Sequence, residues 1–383
     1  MQNQPMQLTP DQALRQTRPR MVPVEGVKPG VENSSLTFRL PQAGLGLRLF
    51  VIITGTLTVT STSISGGTWK SGFESAPFGF VKNLRFGNNQ SVLLRDLSGT
   101  GWYIHTRSRY GFDPLRGANA YFSSNNAGNA VLGLGTTNQP VAGAAITNGT
   151  YTYQIALPVD MAYNLMGENG LLVLQSNNVV YDLTLQFGQG STGAAGAGPF
   201  NNDFVTALAG TNVQVTHTFS AQVGMQYLDM LPPENIQAQL STAMTVSETV
   251  QTGLFQGDNS FSLPPQDWYT LINVQTFNNG NAIAPNGITK QTLQYNGQIT
   301  DINQNQQMNT VVSYYDHNGL PPMDGVTTYD FGLRRGVMNR RDTLDAFANN
   351  AVTDAKIVTT VGVAPTGVNG QRFILEGIRQ LVK

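Results

Sequence analysis

Apolar residues fall on every second position from Leu45 onward: Leu45, Leu47, Leu49, Val51, Ile53, Leu57 and Val59 mark one face, and Thr54, Thr56, Thr58 and Thr60 end the other. A period of two with threonine opposite predicts a long, half-buried strand. The same period recurs in Tyr151, Tyr153, Ile155, Leu157 and Val159, and again in Val179, Tyr181, Leu183, Leu185 and Phe187. A further long run has Val213, Val215, His217, Phe219, Ala221, Val223 and Met225 alternating with Gln214, Thr216, Thr218, Ser220 and Gln222. Shorter candidates lie at 78–86 and 90–97. GWYIHTRSRY at 101–110 reads either as a strand or as a short helix capped by Thr100 and stopped by Gly111. About eight strands of antiparallel patterning, joined by long polar loops, are what a jelly roll needs.

The strand through Met225 runs on into Pro232-Pro233. Neither proline can donate to a ladder and both have a fixed φ, so the pair predicts a stiff joint and not more sheet. Beyond it, strand candidates stand at 245–256, 267–277, 288–295, 325–333, 355–363 and 371–382, with Asn279-Gly280, Asn286-Gly287 and Asn296-Gly297 as turns. Met308, Val311, Val312 and Tyr315 fall at helical spacing and predict a helix over roughly 301–316. A second short helix is expected at 342–350, capped by Asp342. The two occupy the same relative places as 101–110 and 160–166 in the first half, as a duplicated module would.

At 383 residues the chain exceeds the size at which single cores stop growing. The reading is therefore all-β, with two consecutive eight-stranded jelly-roll sandwiches, short helical insertions and an N-terminal helical arm. The arm covers residues 1–34, the first jelly roll 35–233 and the second 234–383. The angle between the sandwiches is assigned to a hinge at Leu231, Pro232 and Pro233, with Tyr227, Leu228 and Met230 packing against one or both bodies.

In the arm, Thr9 is an N-cap, Pro10 suits the first helical position and Gln12 completes a capping box, giving a helix of about two turns that Pro19 ends. Arg15, Arg18 and Arg20 cluster at its C-terminal end, and through residue 48 six Lys or Arg stand against three Asp or Glu. A solvated tail is one reading. The other is an arm that orders on an anionic surface or a neighbouring subunit.

Charged residues are only 12% of the chain, against about a quarter in ordinary globular proteins. Such a surface resists aggregation poorly and is most useful where like neighbours cover it. The net charge of −1 and the lack of a basic stripe argue against a nucleic-acid reader. There is no cysteine, so neither disulfides nor thiolate metal sites are expected. No apolar run has signal-peptide or membrane-span length, which points to a soluble protein. Glycosylation triplets at Asn33, Asn89 and Asn148 are as many as chance gives in a chain rich in Asn, Ser and Thr.

Catalytic and cofactor chemistry is sparse. His105, His217 and His317 are the only histidines, none pairs with another at metal-ligand spacing, and His217 reads as a hydrogen-bonded core residue. Gly188-Gln189-Gly190-Ser191-Thr192-Gly193 matches a dinucleotide fingerprint in form, but AAGAGPF follows it in place of a helix start and no acidic residue stands at the required distance. A flexible surface loop is expected instead. Asp229, Glu234, Asp267 and Asp330 are carboxylates of the type used in glycoside hydrolysis, yet no spacing selects a pair. The densest charge cluster, Arg334-Arg335 with Arg340-Arg341, Asp342 and Asp345, reads as a solvated loop or as a subunit contact. No catalytic residue, cofactor or metal is assigned.

Several segments carry a family resemblance: QLTPDQALRQ in the arm, GWYIH at 101–105, TYQIALPVDMAYNL at 152–165, VVYDLTLQFG at 179–188, QYLDMLP at 226–232 and WYTLINVQTFNNG at 268–280. In that order the chain resembles the double jelly-roll major capsid proteins of tailless, membrane-containing icosahedral phages of the tectivirus type. After about residue 340 only the general strand order is similar. The resemblance implies a non-enzymatic virion protein, made in the host cytoplasm, whose homotrimers present six similar bodies and tile an icosahedral shell. It further implies vertex and minor capsid proteins as partners, no nucleic acid, and an arm lying near an internal membrane. The competing reading is a carbohydrate-binding or carbohydrate-cleaving β-sandwich protein, since the same architecture hosts both. A host-attachment spike is the third.

Overall fold

The computed structural model describes residues 18–89, 92–111, 140, 142–162, 172–174, 179–229, 242–264, 268–279, 281–282, 287–295, 298–304, 308, 311, 325–331 and 355–380. The chain opens with β1 (Pro19–Pro23), β2 (Lys28–Pro29), β3 (Ser35–Arg39), β4 (Leu45–Thr60), β5 (Ser63–Trp69) and β6 (Val81–Asn88). It continues with β7 (Leu93–Leu97), helix α1 (Gly99–Tyr110), β8 (Gly149–Asp160), β9 (Leu172–Val173), β10 (Tyr181–Phe187), β11 (Val205–Thr211) and β12 (Gln214–Leu228). The second half supplies β13 (Thr242–Thr252), β14 (Gly257–Ser262), β15 (Trp268–Asn278), β16 (Asn281–Ala282) and β17 (Ile288–Tyr295). It ends with β18 (Gln298–Gln304), β19 (Val326–Asp330), β20 (Ala355–Val361) and β21 (Gly370–Gln380).

Alternation sets the register of the first sandwich. β4 lies between β12 and β8, with Val215 opposite Val59, Val223 opposite Val51 and Leu157 opposite Val51 on the other side. A slip of one residue would turn Leu49, Val51, Ile53 and Leu57, all buried, to the threonine face, at about 1.5–3 kcal/mol for each large side chain exposed. The facing layer is β7-β6-β10-β3, which contributes Leu84, Phe86, Leu183, Leu185 and Phe38 to the same core.

That facing layer does not stop at the first sandwich. β7 pairs in parallel with β13, Arg95 against Val246 and Asp96 against Ser247, so one nine-stranded sheet runs β16-β15-β21-β13-β7-β6-β10-β3, with β19 also on β15. Side-chain alternation shows which face each half uses. Met244, Val246 and Ile374 join the first core, whereas Tyr269, Ile272, Val274, Phe373 and Leu375 belong to a second core closed by Leu293, Ala355 and Ile357 of the sheet β14-β20-β17-β18. The two sandwiches therefore sit on opposite faces of a shared sheet. Two all-β bodies were legible in the sequence; their common sheet was not.

Several expectations need correction. Residues 19–29, read as part of an arm whose helix ends at Pro19, form β1 and β2, which add to the edge of β12. Prolines at 19, 23 and 29 are tolerated because these are edge strands. From there Glu25 and Lys28 reach the open edge of β3: Lys28 Nζ donates to Thr37 O at 2.6 Å and Arg39 N donates to Glu25 Oε1 at 3.2 Å. The ambiguous stretch 101–110 is helical, and its N-cap is Ser98, not Thr100: Ser98 Oγ accepts from Gly101 N at 3.0 Å. Gly111 closes the helix at φ 65°, a left-handed conformation that glycine adopts without strain. The helix placed at 301–316 begins instead as β18, which extends to Gln304 beside β17; helical backbone is found at Met308 and Val311. The segment after β12 from Met230, the helices expected at 342–350 and beyond Ala162, and the arm through residue 17 lie outside the described residues.

Candidate functional site

Wherever the chain acts as one body, the two sandwiches must be held at one angle, and α1, like the β7–β13 pair, touches both. Trp102 and Ile104 are buried in the first core, and Trp102 Nε1 donates to Pro158 O of β8 at 2.8 Å. At the other side, Ser108 Oγ meets Thr328 Oγ1 of β19 at 3.4 Å.

The N-terminal end of α1 rests on a carboxylate from the second half. Glu248 of β13 accepts from Ser98 N at 2.7 Å through Oε2 and from Ser98 Oγ at 3.0 Å through Oε1. A negative charge there complements the helix dipole and its unpaired N–H groups. Gly101 makes this possible, since a Cβ at that position would collide with the Glu248 carboxylate. Glu248 is held in turn by Arg372, whose Nε lies 2.6 Å from Oε1, too bent for a hydrogen bond but close enough for a strong ion pair. Arg372 also donates to Phe73 O at 2.9 Å and Gln275 Oε1 at 2.7 Å, with its guanidinium 3.9 Å from the Phe73 ring centre.

At the C-terminal end, Arg109 bridges the halves. Its Nε donates to Asp160 Oδ2 of β8 at 2.6 Å, and its Nη1 donates to Glu376 Oε2 of β21 at 2.6 Å. Glu376 is 0% exposed and also accepts from Thr270 Oγ1 at 2.6 Å and from His105 Nε2 at 2.7 Å. Asp160 is completed by Arg48 Nε and the Tyr110 hydroxyl, each at 2.5 Å. Arg95, on the shared strand β7, donates to Met244 O of the second half and to Asp160 O of the first. Burial alone would raise the Asp160 carboxyl, but Arg109 and Arg48 outweigh it and hold it below the usual range. Burial likewise works against the Arg109 guanidinium, yet Glu376 and Asp160 keep it firmly protonated. Arg95 is pushed down to about 10 by burial and by Arg109 beside it.

Buried ion pairs contribute little net stability when complete, but losing one partner costs about 3–5 kcal/mol. The cluster is therefore a device for geometry: any other angle between the halves leaves buried charges unpaired. It is not arranged for catalysis. Both carboxylates are committed to cations, and the void beside them, about 10 Å3, holds no more than a water molecule.

A second polar cluster ties the N-terminal segment to the first sandwich. Glu32 Oε1 accepts from His217 Nδ1 at 2.8 Å, and His217 Nε2 accepts from the Tyr153 hydroxyl at 3.0 Å. His217 is thus the hydrogen-bonded core histidine its position predicts, with burial holding its pKa below the usual value against the pull of Glu32. Glu32 also accepts from Gly190 N and Ser191 N at 2.8 Å, while Asp203 accepts from Gln189 N at 2.6 Å. The 188–193 segment, expected to be a flexible surface loop, is anchored by the two carboxylates at 189–191 and by β12 at its far end, where Thr192 N donates to Val215 O and Gln214 Nε2 to Gly193 O.

Of the residues singled out from sequence, Arg18 and Arg20 meet at Asp229: Arg18 N donates to Oδ1 and Arg20 Nε to Oδ2, both at 3.0 Å. Tyr227 packs on the first core and Leu228 is buried at the end of β12. Arg15, Met230, Leu231, Pro232, Pro233, Glu234, Asp267, Arg334, Arg335, Arg340 and Arg341 lie outside the described residues. The junction residues Arg95, Arg109, Asp160, Glu248, Arg372 and Glu376 were not found by motif. Only Asp160 and Glu248 are single charges in their strands and could have been suspected for that reason; Arg95 adjoins Asp96, Arg109 shares α1 with Arg107, and Arg372 and Glu376 share β21 with Arg379.

No protein-family model matches the chain, and no curated protein matches it in sequence. Solved structures do match in fold. The crystal structure of the STIV MCP superposes with a TM-score of 0.63 at 12% identity, covering 94% of this chain and 96% of that one. A chain of the atomic structure of Sulfolobus turreted icosahedral virus gives 0.61 at 13%, over 94% and 90%. The quasi-atomic model of the PBCV-1 virus capsid gives 0.56 at 12%, over 94% and 93%. The chain has the double jelly-roll fold.

Proposed function

We propose that this double jelly-roll chain is a viral major capsid protein. The observation that carries the reading is that the likeness to capsid chains extends over 94% of the sequence and includes both sandwiches and their junction. The weakly charged surface and the rigid joint support it: a shell subunit needs a fixed internal angle and a surface that neighbours cover. In this reading the chain forms homotrimers of six similar bodies, which tile an icosahedral shell with vertex and minor capsid proteins as partners. Closed three-fold symmetry within the block and many weak contacts between blocks permit correction before the shell sets. Arg334, Arg335, Arg340 and Arg341 are assigned to subunit contacts. Arg15 and the residues before Pro19 are assigned to the underside of the shell, near an internal membrane, while Arg20 is partly spent on Asp229. Light scattering of the purified protein tests the trimer, with about three times 41.3 kDa expected. A monomer that persists at high concentration refutes it. Electron microscopy of particles containing the chain tests the shell.

A further inference from the structure

The C-terminal half of α1 is fastened to the second sandwich through one buried carboxylate. Glu376 Oε2 accepts from Arg109 Nη1 at 2.6 Å and from His105 Nε2 at 2.7 Å, and Oε1 accepts from Thr270 Oγ1 at 2.6 Å. A proton on Nε2 leaves His105 neutral with a bare Nδ1, which has no hydrogen-bond partner among the described residues. Among the described residues, the charged and titratable groups facing this ring are Arg109 and Tyr110 of α1, Glu376 of β21, Arg95 of β7, and Asp160 of β8 with Arg48 of β4 behind it. Arg48, Arg95 and Arg109 stand against Asp160 and Glu376, so the buried cluster already holds one surplus cation.

We propose that His105 is an acid-sensitive latch: on taking a second proton at Nδ1 it drives the C-terminal half of α1 off β21 and β15, while the pairing of β7 with β13 keeps the two sandwiches joined. The new N–H would find no protein acceptor among the described residues, and the new charge would sit beside Arg109 and Arg95 on a ring only 6% exposed, where water solvates it poorly. Burial, first, and then those arginines hold the ring below its ordinary pKa, and Glu376 opposes them without offsetting them. In the released helix the ring titrates at its ordinary value of about 6.5. Between that value and the lower docked one, the released state binds more protons. Docking is therefore at full strength above about pH 6.5 and weakens as pH falls, by up to about tenfold per unit in the equilibrium constant. The anchor at the other end, Glu248 on Ser98 and Arg372, is made without His105, so the helix is released from one end only. A use of the latch in loosening a shell rests on the capsid reading; the latch itself does not.

The test is hydrogen exchange on the purified full-length protein at pH 7.5 and 5.5, corrected for intrinsic rates. Protection of α1 amides should fall about tenfold relative to β12 at the lower pH. His105→Gln keeps a donor for Glu376 but cannot titrate, and should abolish that difference. Equal relative protection at both pH values in the wild type, or the same loss in His105→Gln, overturns the proposal. Should the variant fail to fold, imidazole NMR of the wild-type protein decides: a His105 ring that titrates near pH 6.5 with α1 still protected refutes the latch. Particles provide a separate arm, in which failure to assemble counts against the capsid reading alone.

Discussion

The interior of the first sandwich is aromatic, and that of the second is crossed by a polar seam. Phe80 lies within 4.8–6.3 Å, centre to centre, of His217, Phe219, Phe204, Phe187 and Tyr153. In the second sandwich, ten buried apolar residues form the core among those described, and hydrogen bonds run through it from sheet to sheet. Gln291 Nε2 and Gln371 Nε2 both donate to Thr359 Oγ1 at 2.8 Å, Gln371 also reaches Thr276 Oγ1 at 3.2 Å, and the Tyr329 hydroxyl donates to Gln291 Oε1 at 3.2 Å. The difference separates two ways of fixing a sandwich. Aromatic volume stabilises whatever arrangement fills space; a satisfied polar seam contributes less but penalises every wrong register of one sheet on the other.

The largest effect should come from the aromatic side. Phe80→Ala removes the ring around which five others are arranged, in a site that is fully buried, and should cost about 3–5 kcal/mol in urea unfolding. Gln371→Leu tests the seam. It removes the donor shared by Thr359 and Thr276 while keeping the volume, and should cost about 1–3 kcal/mol, from the hydroxyls it leaves short of a partner. If the leucine proved neutral or stabilising, the seam would be incidental and the two interiors would differ only in size.

How much of this was legible follows the same division. β4, β8, β10 and β12 were readable because each buries one face, so residues such as Ile53 and Thr54 declare their sides. α1 was ambiguous for the opposite reason: Trp102, Tyr103, Ile104, His105 and Thr106 are all buried, and a helix covered all round has no polar face to reveal its period. β1 and β2 were hidden by their prolines. The shared sheet was hidden because β7 is short, and a parallel contact of two residue pairs leaves no trace in either strand's pattern. Glu376 in ILEGIR could have been suspected, but its partners Arg109 and His105 lie 267 and 271 residues away along the chain, and spacing alone does not pair them.

The smallest effect is expected at the joint that the sequence made most conspicuous. Replacing Pro232 and Pro233 with Gly would cost about 1 kcal/mol each, through the greater freedom of the unfolded chain. If those prolines alone set the angle between the sandwiches, the double variant should fold and yet fail to assemble. But β7 pairs directly with β13, and Arg109, Arg95 and Glu248 bridge the halves at both ends of α1. The angle has other supports, each independent of the connecting segment. The Gly-Gly variant should therefore keep its oligomeric mass and its capacity to assemble, with a melting temperature only slightly lowered. Arg109→Met, which leaves Asp160 and Glu376 without their shared cation, should lose both despite leaving the connection intact. Light scattering and melting of the two variants side by side check this. A Gly-Gly protein that loses its assembly, beside an Arg109→Met protein that keeps it, would return control of the angle to the prolines and reduce the buried cluster to a bystander.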